Sequence, residues 1–288
     1  MILVTGATGF VGRALVSELL AKGSQIRALV RKVSTGLPVE VEQVVVDLGE
    51  IEDEGPIKGA FAGVDVVVHA AARVHMMQDR SADPLAEFRK LNRDATLALA
   101  ALAADAGVKR FVFLSSIKVN GEETFPQGRP AVFKPDDWFI PTDPYGLSKY
   151  EAEQGLLALA KETGMELVII RPPLVYGPGV KANFASMINW LRRGVPLPLG
   201  VINNKRSFVA LDNLVSFIAL CADRSQSPKA ANQVFLISDG EDVSTTQLLR
   251  RVADALGKKP RLLPVPTGLM RFAASLIGKG DVANRLFG

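Results

Sequence analysis

The sequence predicts a doubly wound α/β fold of Rossmann type, a parallel sheet with flanking helices, followed by a smaller lobe. Three observations predict it. Short β-branched runs alternate with longer helical stretches through the first two-thirds of the chain. Those runs are apolar nearly throughout, as strands buried on both faces are. Glycines at Gly6, Gly9 and Gly12 stand directly after the first run and open the first helical stretch.

The strand candidates in order are 2–6, 25–30, 41–47, 64–70, 110–116 and 166–172. Between them lie the helical stretches VGRALVSELLAKG, DPLAEFRKLNRDATLALAALAADAG and YGLSKYEAEQGLLALAKETG. After about residue 177 the alternation weakens and Pro and Gly become frequent. The expected division is therefore a dinucleotide-binding domain over 1–176 and a substrate-binding lobe over 177–288, interleaved with the first.

Composition narrows the class. The 288 residues are 48% apolar and 22% charged, enough for a sizeable core. The net charge is +4, with Lys and Arg dispersed, which argues against a nucleic-acid surface and suits an anionic small ligand. One cysteine, Cys221, and two histidines leave no intrachain disulfide framework and argue against a metal site. Cys221 and His69 read as core residues. The chain opens directly on MILVTG without a basic leader, and its longest wholly apolar run, 97–104, is too short to span a bilayer. The expectation is a cytoplasmic protein without stable membrane insertion.

The glycine-rich start carries the first chemistry. Backbone must approach a pyrophosphate closely there, and a helix N-terminus supplies free N–H groups with a positive dipole. The expected contacts are Gly6, Thr8, Gly9, Phe10, Val11 and Gly12. A site for NAD carries Asp or Glu after the second strand, to accept from the ribose 2′-hydroxyl. Here Arg31 and Lys32 stand in that place, and a guanidinium pairs with a 2′-phosphate, so NADP is expected with NAD as the alternative. Asp47, ending the third run beside Leu48, is placed to meet the adenine edge.

The second chemistry lies in DPYGLSKYEAE, 143–153. Asp143 suits a helix N-cap and Pro144 the first helical position. Tyr145 and Lys149 then share one helix face. Ser116 ends the fifth run at the carboxyl edge of the sheet, where ligands bind. Ser116, Tyr145 and Lys149 form a hydroxyl, phenol and ammonium set around one reacting oxygen. Tyr145 is the expected general acid or base, Ser116 orients the oxygen, and Lys149 favours the phenolate and holds the nicotinamide ribose. Working near neutrality asks for roughly 4 kcal/mol of phenolate stabilisation, much of which Lys149 and the positive nicotinamide ring are expected to supply.

These motifs, in order, resemble the extended short-chain dehydrogenase/reductase family, specifically its nucleotide-sugar epimerases, dehydratases and reductases. They are TGATGFVG, HAAA at 69–72, Asn92 in FRKLNRDAT, SSIKVNG, YGLSK, RPPLVYGPG and RSFVALDNL. The resemblance implies that Ala70, Ala71 and Ala72 pass beside the cofactor and that Asn92 is a structural and proton-relay position. It places Pro172 through Val175 near the nicotinamide. For a UDP-sugar it implies Lys118, Asn183, Leu197, Arg206 and Arg285 as substrate contacts, with Leu197 in an extended segment whose backbone reads uracil. Many epimerases carry a tyrosine where this chain has Asn120, which is a departure. His75 stands in a loop over the crevice.

The resemblance implies NADPH-dependent reduction of a UDP-4-keto-6-deoxy-N-acetylhexosamine for surface polysaccharide, with UDP-sugar 4-epimerisation on tightly bound NAD as the alternative. A non-catalytic dinucleotide sensor is the other class, and such proteins lack the Tyr/Lys pair. Two helical stretches, near 85–105 and 145–163, carry apolar or small residues on more than one face, which with the resemblance implies a homodimer through a four-helix bundle. The stretch 267–278 reads as a core-packing helix.

Overall fold

The computed structural model describes residues 1–50, 55–74, 83–124, 132–137, 139–180 and 182–270. The chain divides into two compact units: Met1–Pro173 with Leu211–Ile237, and Leu174–Ala210 with the chain from Ser238 on. The break expected after residue 176 thus falls after Pro173.

Ten strands occur among the described residues: β1 (Ile2–Thr5), β2 (Ile26–Val30), β3 (Glu42–Val45), β4 (Val66–His69), β5 (Arg110–Leu114), β6 (Glu166–Arg171), β7 (Leu174–Tyr176), β8 (Lys205–Ala210), β9 (Gln233–Leu236) and β10 (Asp242–Ser244). The helices are α1 (Phe10–Ala21), α2 (Gly55–Ala60), α3 (Pro84–Arg89), α4 (Ala95–Asp105), α5 (Pro144–Thr163), α6 (Ala182–Arg192), α7 (Leu211–Ala222) and α8 (Thr245–Ala255). A π-helical turn, Lys90–Asp94, joins α3 to α4.

In the first unit seven strands form one parallel sheet in the order β3-β2-β1-β4-β5-β6-β9. The order reverses between β1 and β4, where Thr5 lies opposite His69. Connections leave that point in opposite directions, so the carboxyl ends open a crevice there. Helix α1 packs on α7, while α3 and α4 both pack on α5. Leu3, Val67, Leu99, Phe111, Phe113, Leu156 and Ile169 form the core between the sheet and the second helix group. Strand β3 departs from the expectation of burial on both faces: it lies at the sheet edge, and its Glu42 and Val45 are exposed. Strand β9 completes the sheet without having been anticipated.

In the second unit β8 pairs parallel with β7 and antiparallel with β10. Leu191, Leu197, Leu199, Ile202 and Leu249 are buried in its core. Ser244 caps α8 in a reciprocal box with Gln247. Among the described residues no helix is long and apolar enough to cross a membrane.

Candidate active site

The glycine segment is built for close approach of backbone. Gly6 has φ +70, and a Cβ there would stand 2.6 Å from the Ala70 carbonyl carbon and the Ala71 nitrogen. A Cβ on Gly12 would stand 2.0 Å from the Gly6 carbonyl oxygen. Neither position tolerates a side chain while this geometry lasts. The Gly9 N–H donates to Gly6 O at 2.9 Å, and α1 starts at Gly9 with no side chain capping it. Its first-turn amides are left for an anion. This cradle fits the pyrophosphate of a dinucleotide. Thr8 is exposed and Phe10 and Val11 are half-buried at the same helix start. Ala70, Ala71 and Ala72 run past Gly6, partly buried.

Arg31 is exposed just after β2, as is Lys32, and the segment 31–36 carries no acid. Asp47 is exposed beyond β3 and accepts from the Gly49 N–H at 3.0 Å, while Leu48 is buried beside it. His69 is fully enclosed. Its Nδ1 shares a proton with Thr5 Oγ1 at 2.7 Å and its Nε2 with Thr96 Oγ1 at 2.9 Å. Burial, with a smaller contribution from the Lys149 charge, pulls its pKa down to about 3, so the ring is neutral. It stacks on Phe113 and does structural work.

Helix α5 carries the candidate chemical groups. Asp143 accepts from the Gly146 N–H at 3.1 Å, and Pro144 occupies the first helical position. The half-buried Tyr145 ring packs edge-on to Phe88, and Ser116 beside it favours the ionised phenol. Lys149 is buried, its Nζ donating to Leu114 O at 2.9 Å and lying 4.4 Å from the centre of the Phe113 ring. The sequence therefore brought Ser116, Tyr145 and Lys149 to one place, but their electrostatics differ from expectation. Burial pushes the Tyr145 phenol up to about 12; Ser116 opposes this and the Asp143 charge adds to it. Burial pulls Lys149 down to about 7, partly offset by Glu153. The ammonium is engaged by Leu114 and Phe113, and its charge is not what governs the phenol. Phenolate formation needs further positive charge brought by a bound ligand.

Two other expected contacts are engaged inside the first unit. Lys118 reaches Asp143 at 3.1 Å and Glu122 at 3.2 Å, tying the turn after Ser116 to the start of α5. Asn92, fully buried in the π-helical turn, accepts from the Arg73 N–H and donates to Arg73 O and Ser148 Oγ. It links the chain leaving β4 to α5, a positioning role with its hydrogen-bonding groups already used. Pro172 accepts from the Ile117 N–H.

The remaining candidates belong to the second unit. Leu197 does not fit a base-reading role, because its N–H donates to Arg261 O and its carbonyl accepts from the Leu263 N–H, each at 2.8 Å. Arg206 is half-buried on β8, and burial lowers its pKa. Val175 pairs with Val209 across β7 and β8. Asn183 lies in the first turn of α6. Arg285, His75 and residues 271–278 lie outside the described residues. Sequence reasoning missed a buried polar group beside Ser116: Ser115, Glu153, Arg171 and Asn120. Its only local signal was Glu153, four residues beyond Lys149.

A family model for the NAD dependent epimerase/dehydratase family matches residues 2–237. The chain is 50% identical over 293 residues to a UDP-glucose 4-epimerase of Vibrio cholerae, spanning 100% of this chain and 85% of that one. It superposes on Thermus thermophilus UDP-glucose 4-epimerase, solved with NAD, with TM-score 0.72 and 26% identity, over 92% of this chain and 86% of that one. MoeE5 in complex with UDP-glucose and NAD gives TM-score 0.72 and 28% identity, over 91% and 84%.

Proposed function

We propose that this chain, which belongs to the NAD-dependent epimerase/dehydratase family, interconverts UDP-sugars epimeric at C4 on a bound NAD. The observation that carries the reading is the 50% identity, over the whole chain, to a UDP-glucose 4-epimerase. It reverses the order expected from sequence, in which 4-keto reduction stood first. The residues that would hold the cofactor are the glycine cradle, Gly6 to Gly12, with Asp47 toward the adenosine and Lys149 toward the nicotinamide ribose. Bound there, the nicotinamide supplies reversible hydride transfer. Tyr145 Oη takes the proton of the sugar hydroxyl and later returns it, and Ser116 Oγ holds the same oxygen by a hydrogen bond. Lys149, held by Leu114 O, keeps its alignment toward that ribose through the cycle. In the second unit, Arg206 is the candidate for the diphosphate, its forked guanidinium already partly desolvated.

The test is to incubate the purified protein with UDP-glucose, and separately with UDP-N-acetylglucosamine, without added cofactor. Conversion to the C4 epimer, with about one NAD released per chain on denaturation, is the expected result. No conversion without NADPH, and one NADPH consumed per turnover with a UDP-4-keto sugar, would favour the reductase. That second reading is supported by Arg31 and Lys32, which give the end of β2 a cationic character. Under it, NADPH binds more tightly than NADH, and Arg31→Asp removes about tenfold to a hundredfold of that preference. We also propose a symmetric dimer through α4 and α5, whose Ala98, Leu157 and Ala158 remain exposed. A monomer in sedimentation at micromolar concentration would count against it.

A further inference from the structure

Resting on the Tyr145 and Lys149 reading above, we infer that Glu153 is a positioning residue of the reaction, fixing the register in which α5 docks on the end of β5. Tyr145, Lys149 and Glu153 recur every four residues and form one stripe of the helix. Each member meets a different one of three consecutive residues leaving β5. Lys149 Nζ donates to Leu114 O. Ser115 Oγ donates to Glu153 Oε1. Ser116, the third, favours the ionised Tyr145 phenol. A slip of one residue along this interface breaks the Lys149 and Glu153 contacts, because Leu114 and Ser115 are held in place by their pairing with Ile170 on β6.

Glu153 is the anchored member. It is fully buried, and Arg171 at the end of β6 grips it with Nε at 3.0 and 3.2 Å and Nη2 at 2.5 Å. Arg171 Nη1 continues to Asn120 Oδ1 at 2.9 Å and to Pro135 O at 3.2 Å, and Asn120 Nδ2 donates to Lys134 O at 2.7 Å. The cluster thus joins β5, β6, α5 and the turn that follows Ser116. A buried ion pair of this kind contributes little net stability over an apolar replacement, so its value lies in specifying geometry. Its charge also reaches the site, since Glu153 holds part of the Lys149 charge in place against burial. Of the other groups, neutral His69 on β4 feels the Lys149 charge, and the Arg171 charge is offset by Glu153.

The experiment compares Glu153→Gln, Ser115→Ala and the charge-neutral pair Glu153→Gln/Arg171→Met with the wild type, using UDP-glucose as probe. Expected is a fall in kcat of roughly tenfold or more in Glu153→Gln and a smaller fall in Ser115→Ala, as for a small misplacement of reacting groups. KM for UDP-glucose and NAD content stay within about twofold, which a general loss of folding would not produce. The paired variant removes the buried unpaired guanidinium, so it decides the matter if Glu153→Gln does not fold: a soluble pair with kcat still depressed supports the inference. Folded variants with wild-type kcat would overturn it, as would losses shared equally with KM and NAD content. Tyr145→Phe, run alongside, separates the two readings: full turnover there removes the Tyr145 assignment itself, whatever Glu153 does.

Discussion

Under the proposed function, two helix starts in the first unit would meet ligand chemistry by opposite means. At the start of α1 the glycines Gly6, Gly9 and Gly12 leave the backbone bare, and no side chain caps the helix. At the start of α5 Asp143 caps the helix, Lys118 pairs with the cap, and Tyr145, Lys149 and Glu153 project from one face. The first works by absence of side chains, so its geometry is rigid and pH-independent. The second works by placed side chains, so it carries buried polar groups that must be compensated by partners elsewhere in the chain. The former tolerates no added atom at Gly6 or Gly12. The latter tolerates change in proportion to how many partners remain.

The largest effect should come from breaking the bare end. Gly12→Ala puts a methyl carbon 2.0 Å from the Gly6 carbonyl oxygen unless the backbone shifts. The expected outcome is protein that is insoluble or that purifies with at least a hundredfold less bound NAD, a loss of about 3 kcal/mol of binding. Wild-type NAD content in a soluble Gly12→Ala protein would remove the cradle from the reading. Next comes Tyr145→Phe, which takes away the proposed proton carrier and leaves the ring packed on Phe88. Turnover should drop by about a hundredfold or more with NAD content unchanged, measured on the same preparation.

The contrast also explains what sequence could and could not tell. The glycine cradle was legible in full because a positive φ and a close backbone approach leave only glycine as a solution, and three glycines after a strand are visible without any partner. Ser116, Tyr145 and Lys149 were legible because helix periodicity and the strand end bring them together locally. Their electrostatics were not: the raised phenol depends on burial, which one-dimensional spacing does not report. Lys118 was named from the resemblance, and spacing gave no sign of its Asp143 partner across a loop. Leu197 was read as exposing its backbone because its pairing with Arg261 and Leu263 is long-range. In the same way Glu153 could be seen, but not Arg171 or Asn120, which reach it from other elements. Strand β9, Gln233–Leu236, is only four residues long and follows the irregular region, so its return to the sheet left no periodic signal.

A smaller effect tests the cap. Asp143→Ala deletes the bond to the Gly146 N–H and the ion pair to Lys118 together. A cap of this kind contributes about 1 kcal/mol, so a few degrees of Tm should go. Turnover should fall only severalfold, because Glu153 and Lys149 still hold the register. A fall as large as that of Tyr145→Phe would mean that the cap, rather than the stripe, sets the site.

The smallest effect is a slope, and it separates the two helix starts by their charge. Lys149 is held at about 7 by burial, well below its ordinary 10.5. Between those values the unfolded chain binds a proton that the folded chain does not, so stability rises with pH over that window. Below about 7 both states are protonated and the full cost of burying the ammonium remains. Lys149→Met removes that cost at every pH, while losing the bond to Leu114 O and the contact with Phe113 by an amount that does not depend on pH. The difference in Tm between variant and wild type should therefore be most favourable to the variant near pH 6 and shrink steadily toward pH 9. Thermal melts of the two proteins across that range, without added ligand, measure it. The Gly6 to Gly12 segment contains no ionisable side chain, so the same comparison with a soluble Gly9→Ala protein should give a flat difference. A flat difference for Lys149→Met as well would mean that the ammonium is not buried at this cost, and the division between a bare end and a charged end would lose its electrostatic half.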